Sequence, residues 1–237
     1  MSDSPVAARG IPAPVREIDV QWRGQVDYAP TWQAMQSLTA TRDADTPDAL
    51  WLLEHPPVYT QGQAGKPEHL LLPGSIPVVQ TDRGGQVTYH GPGQLVGYLL
   101  VDLGRLGLGA REFVERIEDA LVNALARLGV ASTADRNAHG VYVDGRKIAS
   151  LGMRIRRGCS YHGFSLNVDM DLAPFRGINP CGYAGLQMCQ LRDLLTPEQL
   201  AGRDREALMA AARRAALDGL RERFPELDFG RTERQPA

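Results

Sequence analysis

The segment QLVGYLLVDL, residues 94–103, is apolar at nearly every position. A strand with one wet face alternates apolar and polar residues, so an unbroken run of this length predicts a strand covered on both faces. ALWLLEH (49–55) is a second compact apolar run, stopped by Pro56 and Pro57, and it reads as another buried strand. REIDVQW (16–22), IPVVQTD (76–82) and YHGFSLNVDMDL (161–172) read as further strands. GVYVDGRKIASLGMRIRRG (140–158) carries a hairpin signal, with Asp144–Gly145 at its turn.

Material to cover such a sheet is also in the chain. Tyr28 to Thr39 places Trp32, Met35 and Leu38 on one helical face, and TRDADTPD (41–48) follows as a polar loop. Residues 111–128 place Phe113, Val114, Ile117, Leu121, Leu125 and Leu128 at helical spacing, with Gly129 as a stop. TPEQL (196–200) opens a last long helix, with Thr196 as N-cap, Pro197 at the first helical position and Gln199 set for a capping box. No internal repeat and no dividing linker interrupts the pattern. The expected fold class is α/β (α+β), a mixed β-sheet flanked by helices, in a single domain over residues 16–228. Residues 1–15 are expected to be a flexible lead and 229–237 a frayed tail.

A net charge of −2 over 237 residues gives no global field for a nucleic-acid or membrane partner. Three cysteines cannot all pair, which excludes a disulfide framework and implies a reduced setting. The N-terminus has no basic start followed by an apolar stretch, and no apolar run approaches the roughly 18–20 residues of a membrane span. A cytoplasmic protein is expected.

DRGGQVTYHGPGQLVGYLL (82–100) packs five glycines into 14 residues. No lysine follows as a phosphate loop requires, and the glycines lead into a strand rather than a helix, with Pro92 removing an amide. What remains is a ligand-free glycine hairpin or a backbone laid against a ligand, and Tyr89 and His90 tilt the reading toward a site.

Three further residues stand out. Strand alternation puts Lys147 at the head of a face shared with Ala149, Leu151, Met153 and Ile155, otherwise apolar. The pattern alone favours a stem that stretches past the turn into water. His162 likewise heads an apolar face with Phe164, Leu166 and Val168, where a hydrogen-bonded core role is the commoner outcome. INPCGYAGLQMCQL (178–191) then sets Cys181 between Pro180 and Gly182, in a bend that exposes its sulfur and whose amides could face an oxyanion. Cys189 sits among apolar neighbours as a small core residue. Cys159, His162, Cys181 and Cys189 lack zinc-site spacing, so no metal is expected.

RGGQVTYHGPGQLVGYLLVDL (83–103), GRKIASLGMRIRRGCSYHGFSLNV (145–168) and INPCGYAGL (178–186), with LLEHPPVYTQG (52–62), resemble the signature blocks of the lipoyl(octanoyl) transferase family. The resemblance runs from about residue 16 to 225. It implies a fold like the catalytic domain of biotin and lipoate protein ligases, and no cofactor. It implies transfer of an octanoyl group from octanoyl-acyl carrier protein to a lysine on lipoyl domains of 2-oxoacid dehydrogenase complexes and the glycine cleavage H protein. The family's acyl-carrying cysteine falls on Cys181 and its tuning lysine on Lys147. The substrate-lining segments fall on Arg83, Gly84, Gly85, Gln86, Val87, Thr88, Tyr89 and His90, on Ser150, Leu151 and Gly152, and on Gly163, Phe164 and Ser165. An ATP-dependent lipoate–protein ligase of the same fold is the alternative, and a non-catalytic lipoyl-domain binder a third reading.

Overall fold

A computed structural model describes residues 15–230. In chain order the elements are β1 (Arg16–Gln25), α1 (Tyr28–Thr41), β2 (Asp48–Glu54), β3 (Val58–Gln61), β4 (Val78–Gln80), β5 (Val87–His90) and β6 (Gln94–Leu100). There follow α2 (Leu103–Leu106), α3 (Ala110–Arg127), β7 (Thr133–Ala134), β8 (Gly140–Val143), β9 (Arg146–Arg156) and β10 (Cys159–Asn167). The chain ends with α4 (Pro197–Leu200), α5 (Arg205–Arg223) and β11 (Leu227–Asp228).

The strands form an eight-stranded sheet, β11-β1-β2-β6-β10-β9-β8-β7, and a three-stranded one, β4-β3-β5. Both are mixed: β1 runs parallel to β11 and β2, and β3 parallel to β4, while the other pairs are antiparallel. The sheet is thus the mixed α+β arrangement the sequence implies. β6, the apolar run, lies between β2 and β10 and is buried at every residue. Its Leu95 and Leu99 face a core closed by Phe113, Ile117 and Leu121 of α3 and Leu217 and Leu220 of α5. Its Val96, Tyr98 and Leu100 face a smaller core with Trp51, Leu53, Tyr161 and Met35 of α1. Gly97 is opposite Phe164 on β10, and a Cβ there would lie 2.3 Å from the aromatic ring, so the glycine makes room for that side chain. Among the described residues no helix is long and apolar enough to cross a membrane.

Several sequence expectations are corrected. The strand expected at 76–82 is only Val78–Gln80, at the edge of the small sheet. β3 and β5 escaped detection because each is four residues long and lies beside prolines or glycines. The last long helix begins at Arg205, not at 197. The capping box of Thr196 and Gln199 is present, but it closes a four-residue helix. Gly202, at φ +69°, turns the chain, and Asp204 caps α5 by accepting from the Ala207 amide at 2.8 Å. Phe229, assigned to the tail, is buried in the main core behind β11. Residues 1–14 and 231–237, which hold nearly all of the expected lead and most of the expected tail, lie outside the described residues.

Candidate active site

The loop that carries Cys181 is hung between two anchors. At one end Ile178 bridges to Leu70, and the Asn179 amide donates to His69 O at 2.9 Å. At the other the Lys147 amide donates to Gln187 O at 2.8 Å, and the Cys189 amide to Lys147 O at 3.0 Å. Between them Pro180–Gly182 forms a single 3₁₀ turn, with Cys181 in the left-handed region at φ 55°, ψ 18°. That conformation costs a non-glycine residue on the order of 1–2 kcal/mol, which the anchored loop must hold in place. The Gly182 amide donates to Asn179 O at 2.9 Å. It is occupied within the turn, so it does not face a substrate oxygen as the bend in the sequence had implied.

The three cysteines are all unpaired, and they differ in setting. Cys189 and Cys159 are buried, and burial pushes the Cys189 thiol up to about 11 and the Cys159 thiol upward too. Both are poor thiolates for that reason. Cys181 is half-buried. The four residues weighed as a zinc set do not form a metal-ligating group among the described residues.

Lys147 is 1 % exposed, so its stem does not reach water as the pattern alone favoured. The β8–β9 register shifts between Val141 and Tyr142, skipping Ile148. This bulge breaks the alternation, sending both Ile148 and Ala149 into the main core. The Lys147 ammonium donates to His139 O at 2.8 Å, to Ala138 O at 3.4 Å and to Cys181 Sγ at 3.1 Å. It also lies 5.4 Å from the Tyr142 ring centroid. Burial acts to lower its pKa, but the charges and hydrogen bonds of Cys181 and Tyr142 outweigh burial and hold it above the ordinary lysine range. Gly140, at φ +150°, leaves space for the stem, because a Cβ there would lie 2.4 Å from Lys147 Cε.

Cys181 opens on a cavity of about 640 Å³. Arg83, Gly84, Gly85, Gln86, Thr88, His90, Ser150, Leu151, Gly152, Gly163, Phe164 and Ser165 all line it. Val87 and Tyr89 do not. They alternate with Thr88 and His90 on β5, and pack with Tyr59 and Phe175 in the core of the small sheet. Gly84 lies against β9, its amide donating to Met153 O at 2.9 Å. The Arg83 guanidinium is buried and fully engaged, donating to Thr60 O at 2.5 Å, Gln86 O at 2.8 Å and Gly84 O at 2.8 Å. It fixes the glycine loop from within.

Sequence reasoning missed Tyr28, Tyr98, Val114 and the 137–139 segment, which also line the cavity. Tyr98 belongs to a polar network, and the Tyr28 ring packs against His55 and His90 beside it. His55 Nδ1 stands 2.6 Å from Val26 O and must donate, so its Nε2 accepts from Tyr98 OH at 2.7 Å. His90 Nδ1 donates to Gln94 Oε1 at 2.7 Å. Burial lowers the pKa of both rings, His55 to about 4 and His90 to about 3, where neighbouring His55 adds to the effect. His162 has φ 61°, so it turns off the face of Phe164 and stands beside Tyr161. Both bind the Asp82 carboxylate, Tyr161 OH at 2.5 Å and His162 Nε2 at 2.9 Å, as do Trp32 Nε1 and Gln36 Nε2 from α1. Since the carboxylate accepts, Nε2 carries the proton, and the buried Nδ1 of His162 has no protein partner.

The sequence and the fold match known proteins. Residues 27–212 match the lipoyl protein ligase A/B catalytic domain. The chain is 63% identical over 196 residues to an octanoyltransferase of Stutzerimonas stutzeri, covering 81% of this chain and 90% of that protein. It is 66% identical over 178 residues to an octanoyltransferase of Pseudomonas fluorescens, covering 75% and 83%. A lipoate protein ligase from Thermoplasma acidophilum, studied with its E2 lipoyl domain, shares the fold at a TM-score of 0.68 and 14% identity, with 94% of this chain and 88% of that one covered. The chain belongs to the lipoyl protein ligase A/B catalytic-domain family. Within that family it stands with the octanoyltransferases, and it is a transferase enzyme.

Proposed function

We propose that the enzyme moves an octanoyl group from octanoyl-acyl carrier protein to a lysine of lipoyl domains, through a thioester on Cys181. The observation that carries this reading is the 3.1 Å contact between Lys147 Nζ and Cys181 Sγ at the wall of a cavity large enough for an acyl chain. A cation at hydrogen-bond distance favours the thiolate, which is the attacking species.

The Cys181 thiolate attacks the carbonyl carbon of the carrier thioester. A carbon–sulfur bond to Cys181 forms, the bond to the carrier breaks, and the carrier thiol leaves with a proton from the Lys147 ammonium. The neutral Lys147 amine is then placed to take a proton from the acceptor lysine as that amine attacks the acyl-enzyme. An amide forms, and Cys181 departs as a thiolate beside a restored ammonium. The atoms balance without ATP. Val114, Leu151, Met153, Ile155 and Phe164 give the cavity apolar walls for the chain. Burying about seven carbons contributes ~5–6 kcal/mol of gross binding energy, at ~0.8 kcal/mol each. Lipoyl domains of 2-oxoacid dehydrogenase complexes and the glycine cleavage H protein are the acceptors of this reading, and a reducing cytoplasm suits its thiol nucleophile.

Intact-mass measurement after incubation with octanoyl-acyl carrier protein tests it. One added octanoyl mass that maps to Cys181, without ATP, is the expected result. Transfer that requires ATP, with no acyl-enzyme, would give the chain to the ligases instead.

A further inference from the structure

Glu118 lies on α3 and is fully buried, yet nothing in the chemistry above employs it. Its Oε1 accepts from the Gly140 amide at 2.9 Å and contacts His139 Nδ1 at 3.1 Å, while Oε2 pairs with Arg136. Arg136 is held in turn by Asp119, at 2.5 Å. The Gly140 N–H belongs to the same peptide unit as the His139 carbonyl, and that carbonyl takes the shortest hydrogen bond from the Lys147 ammonium, at 2.8 Å. One peptide plane therefore stands between a buried carboxylate and the ammonium. Its N–H points at Glu118 and its C=O at Lys147.

From this geometry we infer that Glu118 is a positioning residue for the Lys147–Cys181 pair, acting through the His139–Gly140 peptide. The carboxylate fixes the rotation of that peptide. A rotation that released Gly140 N–H would also swing the His139 carbonyl away from Nζ. The charge polarises the peptide as well, strengthening its carbonyl as an acceptor for the ammonium. Lys147 then has two carbonyls on one side and the Cys181 sulfur on the other, with the Tyr142 ring nearby. Without the anchor the ammonium loses the support that keeps it within reach of the sulfur. The inference rests on the proposed roles of Cys181 and Lys147 for its effect on turnover, but its geometric content does not depend on them.

Glu118→Gln tests it, because an amide keeps the shape but offers one oxygen in place of two. Either Gly140 N–H or Arg136 must then face an N–H₂ group. The expected result is a fall in kcat of about tenfold or more with KM for both substrates nearly unchanged, as for a misplaced catalytic group. Alkylation of Cys181 by iodoacetamide should slow at neutral pH, and its pH profile should move to higher pH. The titratable and charged groups around Lys147, Cys181 and Glu118 include Tyr142, Arg83, His139 and Arg136, and all four are retained in the variant. A folded Glu118→Gln protein with the wild-type kcat and alkylation profile overturns the inference, since a merely structural role changes melting temperature alone. Should that variant not fold, amide hydrogen exchange of wild-type Gly140 decides. Strong protection supports the anchor, and exchange as fast as at an amide with no hydrogen bond overturns it. If Cys181→Ala retained transfer activity, the functional reading would fall, while the alkylation and exchange measurements on Glu118 would still be decided on their own terms.

Discussion

The Lys147 ammonium stands 3.1 Å from the sulfur of Cys181, across 34 positions of sequence. Their backbones are tied as well, since Lys147 gives its amide to Gln187 and takes the amide of Cys189, two neighbours in the cysteine loop. The main-chain bonds set where the loop passes β9, and the left-handed turn at Cys181 aims the thiol back toward the ammonium. A substitution that keeps the loop but changes either side chain should therefore separate chemistry from folding.

Cys181→Ser and Cys181→Ala should abolish transfer, while Cys189→Ala and Cys159→Ala keep most of it. Cys189 and Cys159 are buried with raised thiol pKa values, and their loss should cost stability, about 1 kcal/mol for a small truncation, rather than activity. Steady-state rates with melting curves for the four variants make the comparison. Equal loss of activity at all three positions would remove Cys181 from its special place.

The edge of β9 should receive the carrier protein. Arg156 is exposed, and Arg154 and Arg156 alternate with Met153 and Ile155, which line the cavity. Arg154→Glu with Arg156→Glu should raise KM for octanoyl-acyl carrier protein more than for a small octanoyl thioester. Added salt should act in the same direction, because exposed charges are screened over about 8 Å at physiological ionic strength. Unchanged carrier kinetics in the double variant would leave these arginines as a solvated edge.

Stability should fall as pH drops from about 6.5, the unfolded histidine value, toward 4 and 3. The native His55 and His90 rings take up protons only near about 4 and about 3, because burial disfavours their charged forms. Between those values and 6.5 the unfolded chain binds more protons than the native one, so acid favours unfolding, and the effect saturates below about 3. Each such proton contributes a slope of up to ~1.4 kcal/mol per pH unit. Urea midpoints across this range should show a shallower dependence for His90→Gln than for wild type. Parallel curves would mean that His90 titrates normally in the native state.

What could be read in the sequence depended on whether local chemistry alone fixed the outcome. β6 was legible because seven consecutive buried residues need no partner to declare themselves, and the β8–β9 turn because Asp144 and Gly145 both adopt positive φ. Cys181 stood out through its Pro–Cys–Gly bend. The core-facing row headed by Lys147 was legible, but the burial of its ammonium was not, because Ala138, His139 and Cys181 reach it from other segments, and Ile148 joins the core through a bulge set by pairing with β8. His162 departs from strand alternation through a positive φ, and its partner Asp82 lies 80 positions away, so neither is visible in the local pattern. Val87 and Tyr89 fell into a contiguous substrate segment that the pleat of β5 divides between two faces. Glu118 left no trace, being one polar residue in an amphipathic helix until the 136–140 loop folds over it.

Lys147→Met should keep the fold and lose the chemistry. Methionine fills most of the volume of the lysine stem, and the stem is what passes the open side of Gly140. The cost lies at the ammonium: the carbonyls of His139 and Ala138 lose their donor, and the Cys181 sulfur loses its cation. Alkylation of Cys181 at neutral pH should slow, and transfer should fall by about a hundredfold or more, the range for loss of a positioned acid–base group. Lys147→Arg keeps a charge, but the guanidinium does not give up its proton and its planar fork does not fit a site shaped for three tetrahedral donors. It should preserve part of the alkylation rate and still lose turnover, because no neutral base is regenerated for the incoming amine. Measuring alkylation against pH alongside transfer in both variants separates the two roles of Lys147. Wild-type values of both in Lys147→Met would make the lysine structural and shift activation of Cys181 to another group in the cavity, such as His90 or His162.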